Sequence, residues 1–328
     1  MKKRIAFLIT AALLCAFSVS ATAQAAKLVF RVNHTLDPES HYHKGLQKLN
    51  DLIKEKTKGE VSLDIYHSSQ LGSERDAIES VSTGILEMTL VSSAPLANFT
   101  KAFMVFDLPF IITDRKKAYT WMDGPEGKKI LDSVLSKNMV GLSIWENGFR
   151  SLSNSKRAVV KPEDAKGLKI RLMENPIHVA TFKTLGAYPT PMPFGELFTA
   201  LQQKTVDGQE NPLVIIATSK FHEVQKYLTL SGHFYAPAIL LINKEVWDKK
   251  MTAEQRAIMT SCVAQARDWE RNYSQDVDSK LAAELTSKGM EIVEPDKALW
   301  AKALAPVYKE FEPVIGKAAI DSLINAQK

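Results

Sequence analysis

The 328-residue sequence has few of the residues on which several classes of protein depend. Its two cysteines are too few for a disulfide framework or a four-cysteine zinc site. Its 15 glycines and 14 prolines are too few for a collagen-like or low-complexity chain. The nucleotide-binding glycine motifs, the G-x-S-x-G serine motif and the H-E-x-x-H metal motif are missing. These absences weigh against the common enzyme classes, and we predict neither a cofactor nor a metal site.

The charge is nearly balanced once the N-terminus is set aside. Lys2, Lys3 and Arg4 supply three of the 42 basic residues, and residues 1–25 contain no acid. Subtracting three from 42 leaves 39 basic residues against 37 acidic ones. Nucleic-acid-binding domains instead carry a clustered excess of basic residues. We therefore expect no nucleic-acid partner.

Residues 1–25 have the pattern of a secretory signal peptide. A basic start precedes a thirteen-residue apolar segment, residues 5–17, and Ala23-Gln24-Ala25 fits an A-x-A cleavage site. Thirteen helical residues span only about 20 Å of a hydrocarbon core about 30 Å thick. No later run approaches eighteen apolar residues. The sequence thus predicts a periplasmic protein, and we expect its one remaining cysteine, Cys262, to be buried in the core.

Strand and helix patterns alternate in two parts of the sequence. The predicted strands are 27–33, 61–66, 85–91, 169–173, a short one near Val206, and 238–242, and the predicted helices are 40–58, 73–83, 176–185 and 194–203. This alternation predicts parallel βαβ units, and hence an α/β fold with two similar lobes. We assign residues 26–148 and about 238–270 to lobe I, and 149–237 and about 271–328 to lobe II. The chain then crosses between the lobes at least twice, which predicts a hinged cleft.

A long helix is predicted from Thr252 to Lys288. Thr252 is a suitable N-cap with Gln255 at the capping-box position, and neither glycine nor proline interrupts the segment. An apolar stripe that includes Ile258, Cys262 and Trp269 runs along it. At about 1.5 Å per residue the helix is about 54 Å long, longer than one lobe. We predict that helix 253–288 spans both lobes; the alternative is a helical dimerisation arm.

Three polar residues stand where an α/β protein presents side chains to a ligand. Arg171 lies in the segment GLKIRLMENP, opposite the apolar face of its strand, where a guanidinium offers two-pronged recognition of a carboxylate. The alternative is an ion pair with an acid of this chain. Arg150 in WENGFR is a similar case, with a weaker local argument. Asn211 in DGQENP precedes a helix that begins near Pro212.

Five blocks in order resemble the DctP-type substrate-binding proteins of tripartite ATP-independent periplasmic (TRAP) transporters. They are QLGSERDAIE, WENGFRSLSNS, DAKGLKIRLMENP, GAYPTPMPFGELFTALQQKTVDGQENPL and SKFHEVQKYLTL. The resemblance implies a two-lobed periplasmic binding protein of the type II-like α/β class, with a hinge and a long helix across both lobes. It also implies capture of an organic acid and its delivery to the small and large membrane subunits of a TRAP permease.

The resemblance assigns roles to single residues. Arg171 matches the main carboxylate-binding arginine, Arg150 the second arginine, Asn211 the asparagine of the same pocket, and Phe194 an aromatic that packs on the ligand. Four further residues fall at variable positions that often contact the rest of the ligand: Asn33, Glu74, Ser92 and Glu174.

The bound acid is only weakly determined by these residues. The polar side chains would bind several hydroxyl groups, and Trp145 or Phe194 would stack on a sugar face, which favours a uronate or aldonate-type sugar acid. Two arginines would equally bracket two carboxylates, so a C4-dicarboxylate is the alternative. An extracytoplasmic enzyme is the alternative from a different class of protein.

Overall fold

The computed structural model describes residues 27–328, and the predicted signal peptide lies outside them. Within this range the chain forms nine strands: β1 Leu28–Asn33, β2 Val61–Tyr66, β3 Met88–Ser92, β4 Met139–Asn154, β5 Lys169–Leu172, β6 Tyr188–Pro191, β7 Gly208–Pro212, β8 Tyr227–Asn243 and β9 Glu291–Val293. The same residues form eleven α-helices: α1 His41–Lys56, α2 Glu74–Thr83, α3 Ser93–Leu96, α4 Arg115–Met122, α5 Pro125–Asp132, α6 Pro176–Thr184, α7 Phe194–Gln202, α8 Leu213–Thr218, α9 Ala253–Ser287, α10 Lys297–Ile315 and α11 Lys317–Ala326.

Two groups of parallel strands confirm the predicted βαβ units. In the first, β1 pairs in parallel with β2 and β3, and in the second, β5 pairs in parallel with β6 and β7. The helix ends follow from local sequence. Ser73 caps α2 in a capping box with Asp76, and Gly84 ends it in the left-handed conformation at φ 80°.

Two long antiparallel strands, β4 and β8, join the two groups. Their register runs from Met139 opposite Asn243 to Asn154 opposite Tyr227. One end of β8 pairs with β3, and the other end of β4 pairs with β7. The sequence predicted only residues 238–242 of this pair. Both strands are buried along most of their length, and three register shifts interrupt β4, so neither shows a simple alternation of apolar and polar residues.

Two shorter predictions of strand position were wrong. The third strand begins at Met88 rather than at residue 85, because Ile85 lies in the turn after α2 and is 68% exposed. The strand expected near Val206 begins at Gly208. Val206 is buried in the core just before it.

The apolar core lies on both faces of β8. Ile239 and Leu241 belong to one buried cluster, whereas Ala238, Leu240 and Ile242 belong to the other. Because successive strand residues point to opposite faces, the sheet separates the two clusters. Two groups of parallel strands joined by β4 and β8, with helices on both faces, give the α/β, two-lobed architecture that the sequence predicted.

Helix α9 begins at the predicted Thr252–Gln255 capping box and continues for 35 residues. It packs on α1 and β4 and on α8. Its buried face is apolar at both ends but polar in the middle, and Trp269 of the predicted stripe is instead 37% exposed. In that middle, Glu270 accepts a hydrogen bond from the backbone N–H of Glu146 at 3.0 Å, and Arg271 donates to the carbonyl of Ile144 at 2.6 Å. The helix is thus fixed to the backbone of β4.

We expect Gly208→Ala to destabilise the protein. A Cβ at Gly208 would lie 2.3 Å from the carbonyl oxygen of Ser153 in β4. The two strands would have to separate, at a cost of about 1–3 kcal/mol in the free energy of unfolding. Urea denaturation measures the change.

Gly195→Ala is the matched control for this substitution. Its Cβ would approach no atom closer than 3.6 Å, so the free energy of unfolding should change by less than about 0.5 kcal/mol. Equal stability of the two variants would contradict the close approach of β4 and β7.

Candidate ligand-binding cleft

Arg171 is a buried cation without an acidic partner. It lies near the carboxyl end of β5 and is 2% exposed. Its Nε and Nη2 both donate to the carbonyl oxygen of Met192, at 2.8 and 2.6 Å. Among residues 27–328 no carboxylate lies within ion-pair distance of it, and its Nη1 has no partner. Burial, followed by the nearby charge of Arg150, lowers the pKa of Arg171 to about 10, so it stays protonated at neutral pH.

Four of the predicted residues surround one small cavity. Arg171, Glu74, Glu174 and Phe194 line it. The Phe194 ring lies 5.8 Å from the guanidinium carbon of Arg171, which is cation–π distance. The residues come from β5, α2 and α7 and from the segment that precedes α6, so both lobes contribute to the cavity.

Arg150, unlike Arg171, forms an internal ion pair. Its Nε and Nη2 donate to the carboxylate of Glu210 at 2.5 and 2.8 Å, and both side chains are fully buried. Although burial opposes ionisation, the neighbouring charge of Arg150 holds the pKa of Glu210 below its usual range. Only Nη1 of Arg150 has no partner in the described chain. The alternative that the sequence left open is therefore observed at Arg150.

Asn211 positions Arg150 from the neighbouring strand. Its Oδ1 accepts from Nη2 of Arg150 at 3.1 Å, and its Nδ2 donates to the side chain of Gln209. Gln209 lies beside Arg171 in the register of β5 and β7. Asn211 is thus bonded both to Arg150 and to the residue opposite Arg171 on the neighbouring strand.

Asn33 is used within lobe I. Its Nδ2 donates to the carbonyl of Gly72 at 3.2 Å, and its Oδ1 accepts from the N–H of Leu71 at 3.3 Å. These bonds hold the loop before α2, which carries Glu74. A direct contact between Asn33 and a ligand stays a prediction.

Glu74 and Ser92 form the lobe I side of the cleft. The N–H of Ser92 donates to Glu74 at 2.6 Å. Burial raises the pKa of Glu74, while the Ser92 hydrogen bonds and the charges of Arg171 and Arg150 oppose this rise. Glu74 and Arg171 line the same cavity.

Hydrogen bonds also cross between the lobes. Nδ2 of Asn98 donates to the carbonyl of Glu174 at 2.6 Å, and Nδ2 of Asn175 donates to the carbonyl of Ala94 at 3.0 Å and to Asp107 at 2.7 Å. Asn175 also caps α6 through its Oδ1. The lobes are closed against each other in this structure.

The sequence did not identify two polar side chains of the cleft and misplaced one aromatic. Each lies within a segment that the sequence singled out: Glu210 directly precedes Asn211, and Asn147 lies three residues before Arg150. Glu210 bonds to Arg150 and Asn147 bonds to Ser92, and both partners are distant in sequence. The local sequence therefore did not indicate a role for either residue. Trp145 was expected as a stacking surface, but it is fully buried in the core near Gly45 of α1.

No group of three or more His, Cys, Asp or Glu side chains in residues 27–328 has a geometry that would hold a metal ion. No helix within the same residues has the length and apolarity needed to cross a membrane. Cys262 is buried in α9, as the sequence predicted.

Comparison with known proteins agrees with this architecture. The family model DctP, described as bacterial extracellular solute-binding protein, family 7, matches residues 32–313. A solute-binding protein of Verminephrobacter eiseniae (strain EF01-2) is 42% identical over 304 residues, which cover 92% of this chain and 90% of that protein. The C4-dicarboxylate-binding periplasmic protein DctP of Rhodobacter capsulatus is 30% identical over 327 residues, which cover 98% and 97%.

Two solved structures share both the fold and a substantial part of the sequence. A TRAP periplasmic solute-binding protein from Polaromonas sp. JS666, bound to D-erythronate, superposes with a TM-score of 0.88 at 38% identity and covers 91% of this chain and 98% of its own. The sugar acid binding protein DctPAm from Advenella mimigardefordensis strain DPN7T, in complex with galactonate, has a TM-score of 0.89 at 36% identity and covers 92% and 98%. The family is one of extracellular solute-binding proteins that work in transport. The chain belongs to the DctP family of TRAP solute-binding proteins.

Proposed function

We propose that this protein binds an organic acid between its lobes, with the ligand carboxylate on Arg171. The observation that carries the proposal is a buried, protonated guanidinium that no acid of residues 27–328 neutralises. Its Nη1 and the second hydrogen of Nη2 point away from the carbonyl of Met192 and can bind both oxygens of a carboxylate. A buried charge of this kind is stabilised by an ion of opposite sign.

Arg150 would contribute one further donor. Because Glu210 already neutralises its charge, Arg150 adds a hydrogen bond through Nη1 and no net charge. Asn211 holds it in place, and Phe194 packs on Arg171. Glu74 and Ser92 then face the remainder of the ligand from the opposite lobe, and Glu174 faces it from the lobe of Arg171.

The charge pattern favours a monocarboxylic sugar acid over a C4-dicarboxylate. A second ligand carboxylate would find Arg150 already paired and would approach the acids Glu74 and Glu174. Hydroxyl groups instead both donate and accept, as these neighbours require. The ligands of the Polaromonas and Advenella structures support this choice, and the Rhodobacter relative keeps the dicarboxylate as the second candidate.

Ligand binding would then favour the closed form of the protein, because the ligand contacts both lobes. The lobes would close by bending at β4 and β8, the two strands that connect them. We infer that residues 1–25 direct export to the periplasm. One moving lobe consists of residues 26–148 with about 238–270, and the other of residues 149–237 with about 271–328. The closed protein then delivers the acid to a TRAP permease. We propose no catalytic role, and a ligand recovered unchanged by mass spectrometry is the expected result.

A screen of ligands by thermal shift tests the class of acid. Wild-type protein is heated with galacturonate, galactonate, D-erythronate, malate, succinate and sialate. We expect one or more sugar acids to raise the melting temperature most, because ligand that binds only the folded state stabilises it. A rise with succinate alone would overturn the preference for sugar acids, and no rise with any organic acid would contradict the proposed function.

Arg171→Lys tests the carboxylate contact. Lysine keeps the positive charge but loses the planar pair of donors, so affinity should fall at least about 100-fold in calorimetric titration. Arg171→Ala should weaken binding at least as much.

Arg157→Lys is the matched control. The Arg157 side chain also donates to backbone carbonyls, those of Asp164 and Lys166, but it is exposed and lies outside the cavity. It should bind like the wild type. Near-native affinity in Arg171→Lys would argue against two-pronged recognition.

A further inference from the structure

Asn147 lies at an irregularity of β4, where the chain passes from one group of strands to the other. Glu146 is opposite Pro237 and Gly148 is opposite Ala236, so Asn147 is an extra residue with no partner on β8. Gly148 has φ 128°, a conformation that glycine adopts readily. Such bulges redirect a side chain, and they are frequent beside functional sites. Arg150 follows three residues later on the same strand.

The hydrogen bonds around Asn147 fix which end of its amide is free. Nδ2 donates to Oγ of Ser92 at 3.2 Å. Ser92 Oγ is therefore the acceptor in this contact, and Asn147 is the donor. Oδ1 of Asn147 therefore points away from Ser92. It is buried, since the residue is 1% exposed, and it has no partner within residues 27–328.

The free groups of the cleft differ in what they require. Nη1 of Arg171 and Nη1 of Arg150 are donors, which a carboxylate satisfies. Oδ1 of Asn147 is an acceptor, which an ionised carboxylate cannot satisfy because it carries no hydrogen. A ligand that satisfies all three needs a hydrogen-bond donor, such as a hydroxyl group, in addition to its carboxylate. Asn147 is bonded to Ser92, and Ser92 is bonded to Glu74, which lines the same cavity as Arg171.

We propose that Asn147 is a specificity-determining residue whose Oδ1 accepts a hydrogen bond from the 2-hydroxyl of the ligand, so that the protein selects 2-hydroxy carboxylic acids. This inference rests on the proposed function and names the substrate class of the same cleft. An acid without the 2-hydroxyl leaves the buried Oδ1 unpaired, which is unfavourable. Malate satisfies the requirement, whereas succinate does not.

The test compares acids that differ only in the 2-hydroxyl group. D-erythronate is paired with 3,4-dihydroxybutanoate of the same configuration at C3, and galactonate with its 2-deoxy counterpart. Calorimetric titration of the wild type should show binding of the hydroxy acid that is tighter by about tenfold or more. Asn147→Ala should lose about tenfold for the hydroxy acid and less than about twofold for the deoxy acid. Asn325→Ala, which removes an amide from the distant helix α11, should keep the wild-type ratio.

Each result decides the proposal. Equal affinity of the wild type for both members of a pair overturns it, and this result does not depend on whether Asn147→Ala folds. An equal loss of affinity for both members in Asn147→Ala overturns it as well. Wild-type binding only to acids that lack a 2-hydroxyl overturns this inference and leaves the proposed function intact. Failure to bind any organic acid of the ligand screen overturns the proposed function as well.

Discussion

The cleft depends on one buried positive charge that the protein itself does not neutralise. Arg171 is held by a single backbone carbonyl, that of Met192, and by the face of Phe194. Both contacts orient the guanidinium, yet neither supplies a negative charge. Burial lowers its pKa only to about 10, so the side chain stays charged. In the function proposed above, a carboxylate ligand supplies the missing negative charge.

Arg150 shows how the same residue type serves a different purpose nearby. Nε and Nη2 of Arg150 both donate to the carboxylate of Glu210, and Nη2 also donates to Asn211. These bonds fix the position of the Arg150 side chain and balance its charge. The cleft therefore holds one net positive group and one rigid neutral donor. Such an arrangement suits a single carboxylate flanked by hydroxyl groups better than two carboxylates.

The strands of the proposed hinge place these groups. Strands β4 and β8 connect the two groups of parallel strands, and the bulge at Asn147 lies within this connection. Helix α9 is bonded to the backbone of β4 through Glu270 and Arg271, so the middle of the helix follows the strand. Contacts such as that of Asn175 with Asp107 join the lobes in the closed form. The residues proposed to bind ligand and those proposed to form the hinge are thus neighbours in the chain.

The sequence by itself determined the features that depend on short-range order. The capping residues Ser73 and Thr252 fixed where two helices begin, and the uninterrupted segment after Thr252 fixed the length of α9. Arg171 was recognisable because an arginine stands out among the apolar residues of a short strand. The family resemblance then placed Asn211, Phe194 and Glu74 in the same pocket, and the structure brings them near Arg171 or Arg150.

Only the tertiary structure decided which polar groups are satisfied. Arg150 and Glu210 are 60 residues apart, and Asn147 and Ser92 are 55 apart, so no local pattern reports either contact. The full extent of β4 and β8 was also hidden, because strands buried on both faces show no alternation. Local sequence sets backbone conformation, whereas the pairing of buried charges and amides depends on which distant segments the folded sheet brings together.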